Sequence, residues 1–168
     1  MEDKTKTFDE MLTQKETVFR ICLGFSKNTQ DAEDLTQEVY LKAWRKMDTL
    51  KDAGAVRAWL FRVARNTCID HINKMRLRRL FQLFPGDEPP APNTPETLLE
   101  NKQQIDLLKR TVQRLSTKLR EVFVLKEYGR LSYQEIAVSL GIKEGTVMSR
   151  LNRARSEVKK QIRRENHG

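Results

Sequence analysis

All five prolines of this 168-residue chain, Pro85, Pro89, Pro90, Pro92 and Pro95, fall in one stretch, FPGDEPPAPNTPET. Proline lacks the backbone donor a helix needs and pushes the residue before it out of the helical region, so no helix continues through this stretch. The chain is cut there into two pieces, each able to bury only a modest core. On both sides apolar residues recur at helical spacing, with no convincing strand alternation or hairpin signal. The reading is an all-α protein, with small helical domains over 8–80 and 98–164 joined by a flexible linker over 81–97. So proline-rich a joint also predicts few packed contacts between the halves, which should survive as folded fragments after linker cleavage.

The second piece contains LSYQEIAVSLGIKEGTVMSR. Ser132 followed by Glu135 is a capping box, so a helix starts there. Ile136, Ala137 and Leu140 share a face, and Gly141 supplies the left-handed residue that stops the helix. A second helix follows from about Glu144. It turns Val147, Leu151, Ala154 and Val158 inward and Thr146, Ser149, Arg150 and Arg153 outward. A short helix, a glycine turn and a longer basic helix are the parts of a helix-turn-helix, and also of an ordinary helical hairpin.

Charge bears on that choice. Lys and Arg outnumber Asp and Glu by 32 to 23, an excess that points to an anionic partner, nucleic acid foremost. MEDKTKTFDE lacks the apolar core of a signal peptide and no run approaches a membrane span, so a cytoplasmic protein without membrane insertion is expected. Cys22 and Cys68 are too few and too isolated for a disulfide framework or a zinc site, and read as small buried apolar residues. No cofactor is called for. Cys68, Asp70 and His71 lie close in sequence, but no base or oxyanion arrangement accompanies them, so an enzyme is not the expectation.

In the first piece, NTQDAEDLTQEVYLKAW predicts a helix over Asp31 to Lys46 with carboxylates at its positive end. Ala32, Leu35, Val39, Ala43 and Met47 face a core, leaving an acidic surface of Glu33, Asp34, Gln37, Glu38 and Leu41. A charge run is ordinarily a solvated face, but in a basic protein a compact acidic patch suits a basic protein partner. Lys51 to Gly54 breaks the helix. The next runs from about Val56 to Arg79, with Val56, Trp59, Leu60, Val63, Ala64, Thr67 and Cys68 on one face. Arg62, Arg65 and Arg76, with Asn66 and Asn73, lie opposite as a stripe suited to phosphates. Trp59 reads as core; Phe61 is placed on neither side.

DAEDLTQEVYLKAW, AVRAWLFRVARNTCIDHINK and LSYQEIAVSLGIKEGTVMSRLNRARSEV resemble, in order and spacing, the core-binding, minus 10 and minus 35 regions of bacterial extracytoplasmic-function sigma factors. The resemblance implies a subunit that binds core RNA polymerase and directs promoter-specific initiation. It implies that Asp34, Leu35, Gln37, Glu38 and Leu41 dock on the clamp helices of the largest subunit, and that the second domain meets the flap of the second-largest. It implies that Lys51, Asp52, Ala53, Gly54, Arg57, Arg62, Arg65 and Asn66 hold the melted non-template strand at the minus 10 element. Lys143, Thr146, Met148, Ser149, Arg150, Asn152 and Arg153 would read duplex DNA at the minus 35 element. The family commonly has an anti-sigma factor, an expected further partner. Met148 and Asn152 depart from the usual arginine and apolar or aromatic residue. The linker, with Asp87 and Glu88, would thread toward the active-site cleft.

A stand-alone dimeric helix-turn-helix regulator would explain residues 131 to 155 but leave the acidic face and the minus 10-like helix idle. A gel shift with duplex DNA alone separates the two readings, since the regulator binds tightly without polymerase; the docking face has its own test. Reversing charge at Asp34 and Glu38 should weaken core polymerase binding in a pull-down while leaving helical content unchanged. Undiminished capture of polymerase would reject this docking face.

Overall fold

A computed structural model describes residues 2–81 and 99–167. The proline-rich linker, with Asp87 and Glu88, lies outside the described residues except for Phe81. Eight α-helices account for most of the rest: α1 (Glu2–Leu12), α2 (Lys15–Phe25), α3 (Thr29–Lys46), α4 (Val56–Phe81), α5 (Leu99–Arg114), α6 (Thr117–Phe123), α7 (Tyr133–Leu140) and α8 (Glu144–Asn166). Among the described residues there is no strand, and no helix there is long and apolar enough to cross a membrane.

The helix starts follow from local chemistry. Asn28 caps α3 by accepting from the Asp31 amide at 2.8 Å, which settles one of the donors a helix start leaves free. Both halves of the Ser132–Glu135 capping box form at 3.1 and 2.8 Å, and Gly141 ends α7 at φ +65°. Helix α8 buries Val147, Leu151, Ala154 and Val158, the four positions its periodicity assigns. Helix α4 is packed by α2 and α3 and also by α7, so its buried arc exceeds one amphipathic stripe. Phe61 is therefore fully buried, while Trp59 is only partly buried against the same core.

The expectation of few contacts between halves is overturned. One apolar core runs from Met11, Ile21 and Phe25 through Leu60 and Ala64 to Val124, Ile136 and Val158. Helix α2 lies against the turn that continues α6 through Val124–Tyr128. That turn is π-helical, with the Gly129 amide reaching back five residues to the Val124 carbonyl at 3.0 Å. A Cβ on Gly24 would sit 2.6 Å from the Val124 Cγ1 and 2.9 Å from the Tyr128 Cγ, and one on Gly129 would sit 3.0 Å from Ile21. Two glycines thus let the backbones approach. The Gln113 amide ties the seam by donating to the Phe25 carbonyl at 3.1 Å. The prolines show where helix must stop; they carry no information on which apolar faces each half leaves uncovered.

Gly24→Val should destabilise the fold. Overpacking costs about 1–3 kcal/mol, which exceeds the roughly 0.5–1 kcal/mol a helix gains on losing a glycine. Circular dichroism should show a thermal midpoint lowered by several degrees. A midpoint equal to or above that of the parent would contradict the close approach.

Candidate nucleic-acid and polymerase interfaces

The predicted duplex-reading residues sit on one element. Lys143 is the residue before α8, and Met148, Ser149, Asn152 and Arg153 are exposed along its first three turns. Thr146 is half-buried and its carbonyl accepts from the Ser149 hydroxyl at 3.1 Å. Helix α7 packs across α8, completing a helix-turn-helix whose second helix presents a polar, basic face. Arg150 differs from its neighbours: it points back toward Glu121 of α6, 3.6 Å away.

The predicted minus 10 set divides in two. Lys51, Asp52, Ala53 and Gly54 form an exposed loop, shaped by the Asp52 carboxylate accepting from the Gly54 amide at 2.8 Å. The three arginines of α4 instead reach the other half. Arg57 pairs with Glu135 at 2.9 Å, its guanidinium 5.7 Å from the Phe61 ring. Arg62 donates to the Ser139 carbonyl at 3.0 Å and the Val138 carbonyl at 2.8 Å. These carbonyls lie in the last turn of α7, where spare acceptor capacity and the negative end of the helix dipole favour a cation. Arg65 binds Glu121 through its Nε at 2.8 Å and also through its Nη2, and donates to Asn66 at 2.7 Å. Three of the residues predicted to hold DNA, Arg57, Arg62 and Arg65, therefore hold the two halves together in this structure.

On α3, Asp34, Gln37 and Leu41 are exposed, and Glu38 is half-buried and paired with Lys42 at 2.8 Å. Leu35 is a correction. It is 3% exposed, because it sits on the same helical stripe as Ala32 and Val39, and it cannot touch a partner at this surface. Two features were not anticipated. Trp44, one turn beyond Leu41, is also exposed, and with Phe8 and Tyr40 it lines an open apolar groove beside α1. Glu121 is 4% exposed and meets arginines from both predicted DNA-binding helices. Its signal in the sequence is a lone carboxylate which, with Arg120, interrupts the apolar run of LREVFVL, where a charge persists only if paired.

The sigma-70 region 2 family matches residues 13–78 and the sigma-70 region 4 family residues 105–158. The extracytoplasmic-function sigma factor SigL of Mycobacterium tuberculosis is 35% identical over 138 residues, covering 82% of this chain and 77% of that protein. The chain belongs to the extracytoplasmic-function sigma factors. SigE of Mycolicibacterium smegmatis is 30% identical over 160 residues, covering 91% of this chain and 60% of SigE. A solved structure of the sigma factor RpoE, in complex with the anti-sigma factor NepR from Bartonella quintana, superposes with a TM-score of 0.68. It is 25% identical, with 92% of this chain and 95% of that one covered. Sigma-70 regions are not a class of catalysts. In this sigma factor both cysteines are fully buried, as read from the sequence, yet they are not isolated. Cys68 donates to Cys22 across 3.8 Å, and that contact together with burial pushes the Cys68 thiol well above its usual range.

Glu121→Gln removes the one carboxylate shared by Arg65 and Arg150. Breaking a buried pair from one side costs about 3–5 kcal/mol; with both arginines partly exposed, the lower end applies. Urea unfolding of the sigma factor should show a midpoint lowered accordingly, and an unchanged midpoint would mean that the pairing contributes nothing to the fold.

Proposed function

We propose that this chain binds core RNA polymerase and directs it to promoters, with residues 8–80 acting as region 2 and 98–164 as region 4. The observation carrying this reading is the occurrence of both family regions in order on one chain, together with an exposed basic helix-turn-helix. The exposed face of Asp34, Gln37, Glu38 and Leu41 takes the clamp helices, and the second half takes the flap. The loop 51–54 and α4 hold an opened non-template strand, and α8 reads duplex DNA at the minus 35 element through side chains near its start. Unstacking a base costs a few kcal/mol, so the strand is captured by backbone and base contacts and no catalytic step is assigned to the chain. It works in the cytoplasm, and an anti-sigma factor, such as the one bound to the similar RpoE, is a further partner.

Arg57, Arg62 and Arg65 cannot bind phosphates and the opposite half at once, nor can Arg150 bind a phosphate while it faces Glu121 of its own half. Promoter binding therefore exchanges one set of partners for the other, and polymerase, by engaging both halves, favours the open arrangement.

The two DNA contacts separate by the kind of DNA they need. Arg150→Ala with Arg153→Ala should lose recruitment of the polymerase-bound protein to duplex promoters. Arg62→Ala with Arg65→Ala should still be recruited but open the DNA poorly. Each lost phosphate contact should flatten the salt dependence on duplex DNA by about one unit of slope. Permanganate reactivity of unpaired thymines beside a binding assay reads the two steps. Normal opening by the first-half variant, with normal binding but no opening by the second-half variant, would reverse the assignment.

A further inference from the structure

A cavity of about 310 Å³ lies where the end of α2, the second half of α4 and helices α5 and α6 converge. Its polar wall is strongly basic: Lys27, Arg76, Arg79 and Arg120 line it, against one carboxylate, Asp31. Arg120 is 3% exposed and donates to the carbonyls of Val112 at 3.1 Å, Leu115 at 3.2 Å and Gln113. Its hydrogen bonds are met, but no carboxylate neutralises it, and burial followed by the nearby Arg76 charge lowers its pKa. Among the described residues Lys27, Arg76 and Arg79 have no ion-pair partner, and Asp31 is already occupied as an acceptor from the Asn28 amide at 3.0 Å. Like charges converging on one cavity repel, a cost that a bound anion offsets. The remaining wall is mixed, with Phe25, Ile72 and Met75 apolar and Ser26, His71 and Gln113 polar.

A charge run along one helix does not account for this arrangement, since the cations come from both halves of the chain and line the same cavity. We propose that the cavity is a binding site for a small phosphorylated ligand with a flat apolar body, of the class of nucleoside diphosphates. The volume is at the lower end of small-molecule sites, roughly 300–1,000 Å³, which suits one nucleotide rather than anything larger. A phosphomonoester carries about −1.5 to −2 near neutral pH, so a diphosphate approaches the three-charge excess of the wall. The base packs on Ile72 and Met75, and the phosphates lie among the arginines and Lys27. Because the walls come from both halves, the ligand stabilises their closed arrangement by mass action.

Thermal unfolding of the full chain tests this without polymerase or promoter, so it stands or falls apart from the promoter role. At constant ionic strength, ADP or GDP at ten times its dissociation constant should raise the midpoint by roughly 3–6 °C. Adenosine or guanosine should not. Arg76→Glu with Arg79→Glu, both exposed and so little cost to the fold, should abolish the rise, and Lys27→Glu alone should weaken it. No saturable rise with either nucleotide, or an equal rise in both variants, would overturn the site. A short non-promoter duplex producing the same Arg76- and Arg79-dependent rise would assign these cations to the DNA backbone instead, and the proposal would fall.

Discussion

A single buried carboxylate holds the arrangement together. Glu121 accepts from Arg65 of α4 and lies within reach of Arg150 of α8, so one residue of α6 is shared by the two helices that carry the basic surfaces. A carboxylate with 4% of its surface exposed is tolerated only when cations replace the water it has lost. Both cations come from elsewhere in the sequence, and one of them from the other half. The position of α6 therefore fixes how α4 and α8 face each other, and the contacts of Arg57 and Arg62 with α7 continue the same seam.

This geometry gives the arginines two competing uses. Facing phosphates they would be largely hydrated and screened by salt; facing Glu121 and the end of α7 they are partly dehydrated and fixed in direction. Neither use is visible as a distinct chemistry in the side chains themselves. A guanidinium forks equally well onto a carboxylate, a pair of carbonyls or a phosphate, and what selects among them is which surface is close.

Much of the local structure was legible before any coordinates. The Ser132–Glu135 box, Gly141 and the apolar face of α8 are set by residues within one or two turns of each other, and short-range chemistry decides them. The two sigma regions were legible in the order and spacing of their motifs. What escaped depends on contacts between distant residues. Phe61 is buried because α4 is packed on more than one side, by helices from both halves. Leu35, by contrast, is hidden as its periodicity with Ala32 and Val39 indicates, and only the docking role implied by the resemblance fails there. The proximity of Cys22 to Cys68 and the role of Glu121 need two helices from different parts of the chain to be brought together. No window of sequence contains that.

The glycine seam also has a kinetic side. The contact between Gly24 and Val124 joins residues roughly a hundred positions apart, and closing a loop of that length costs about 4 kcal/mol of chain entropy before any contact offsets it. Helices α2, α3 and α4 can assemble from nearer neighbours, and so can α6, α7 and α8. Docking of the halves then comes as a late step. During synthesis the α2 face around Ile21 and Gly24 stands uncovered until more than half of the chain has followed it, an interval in which a nascent first half offers an apolar surface to whatever it meets.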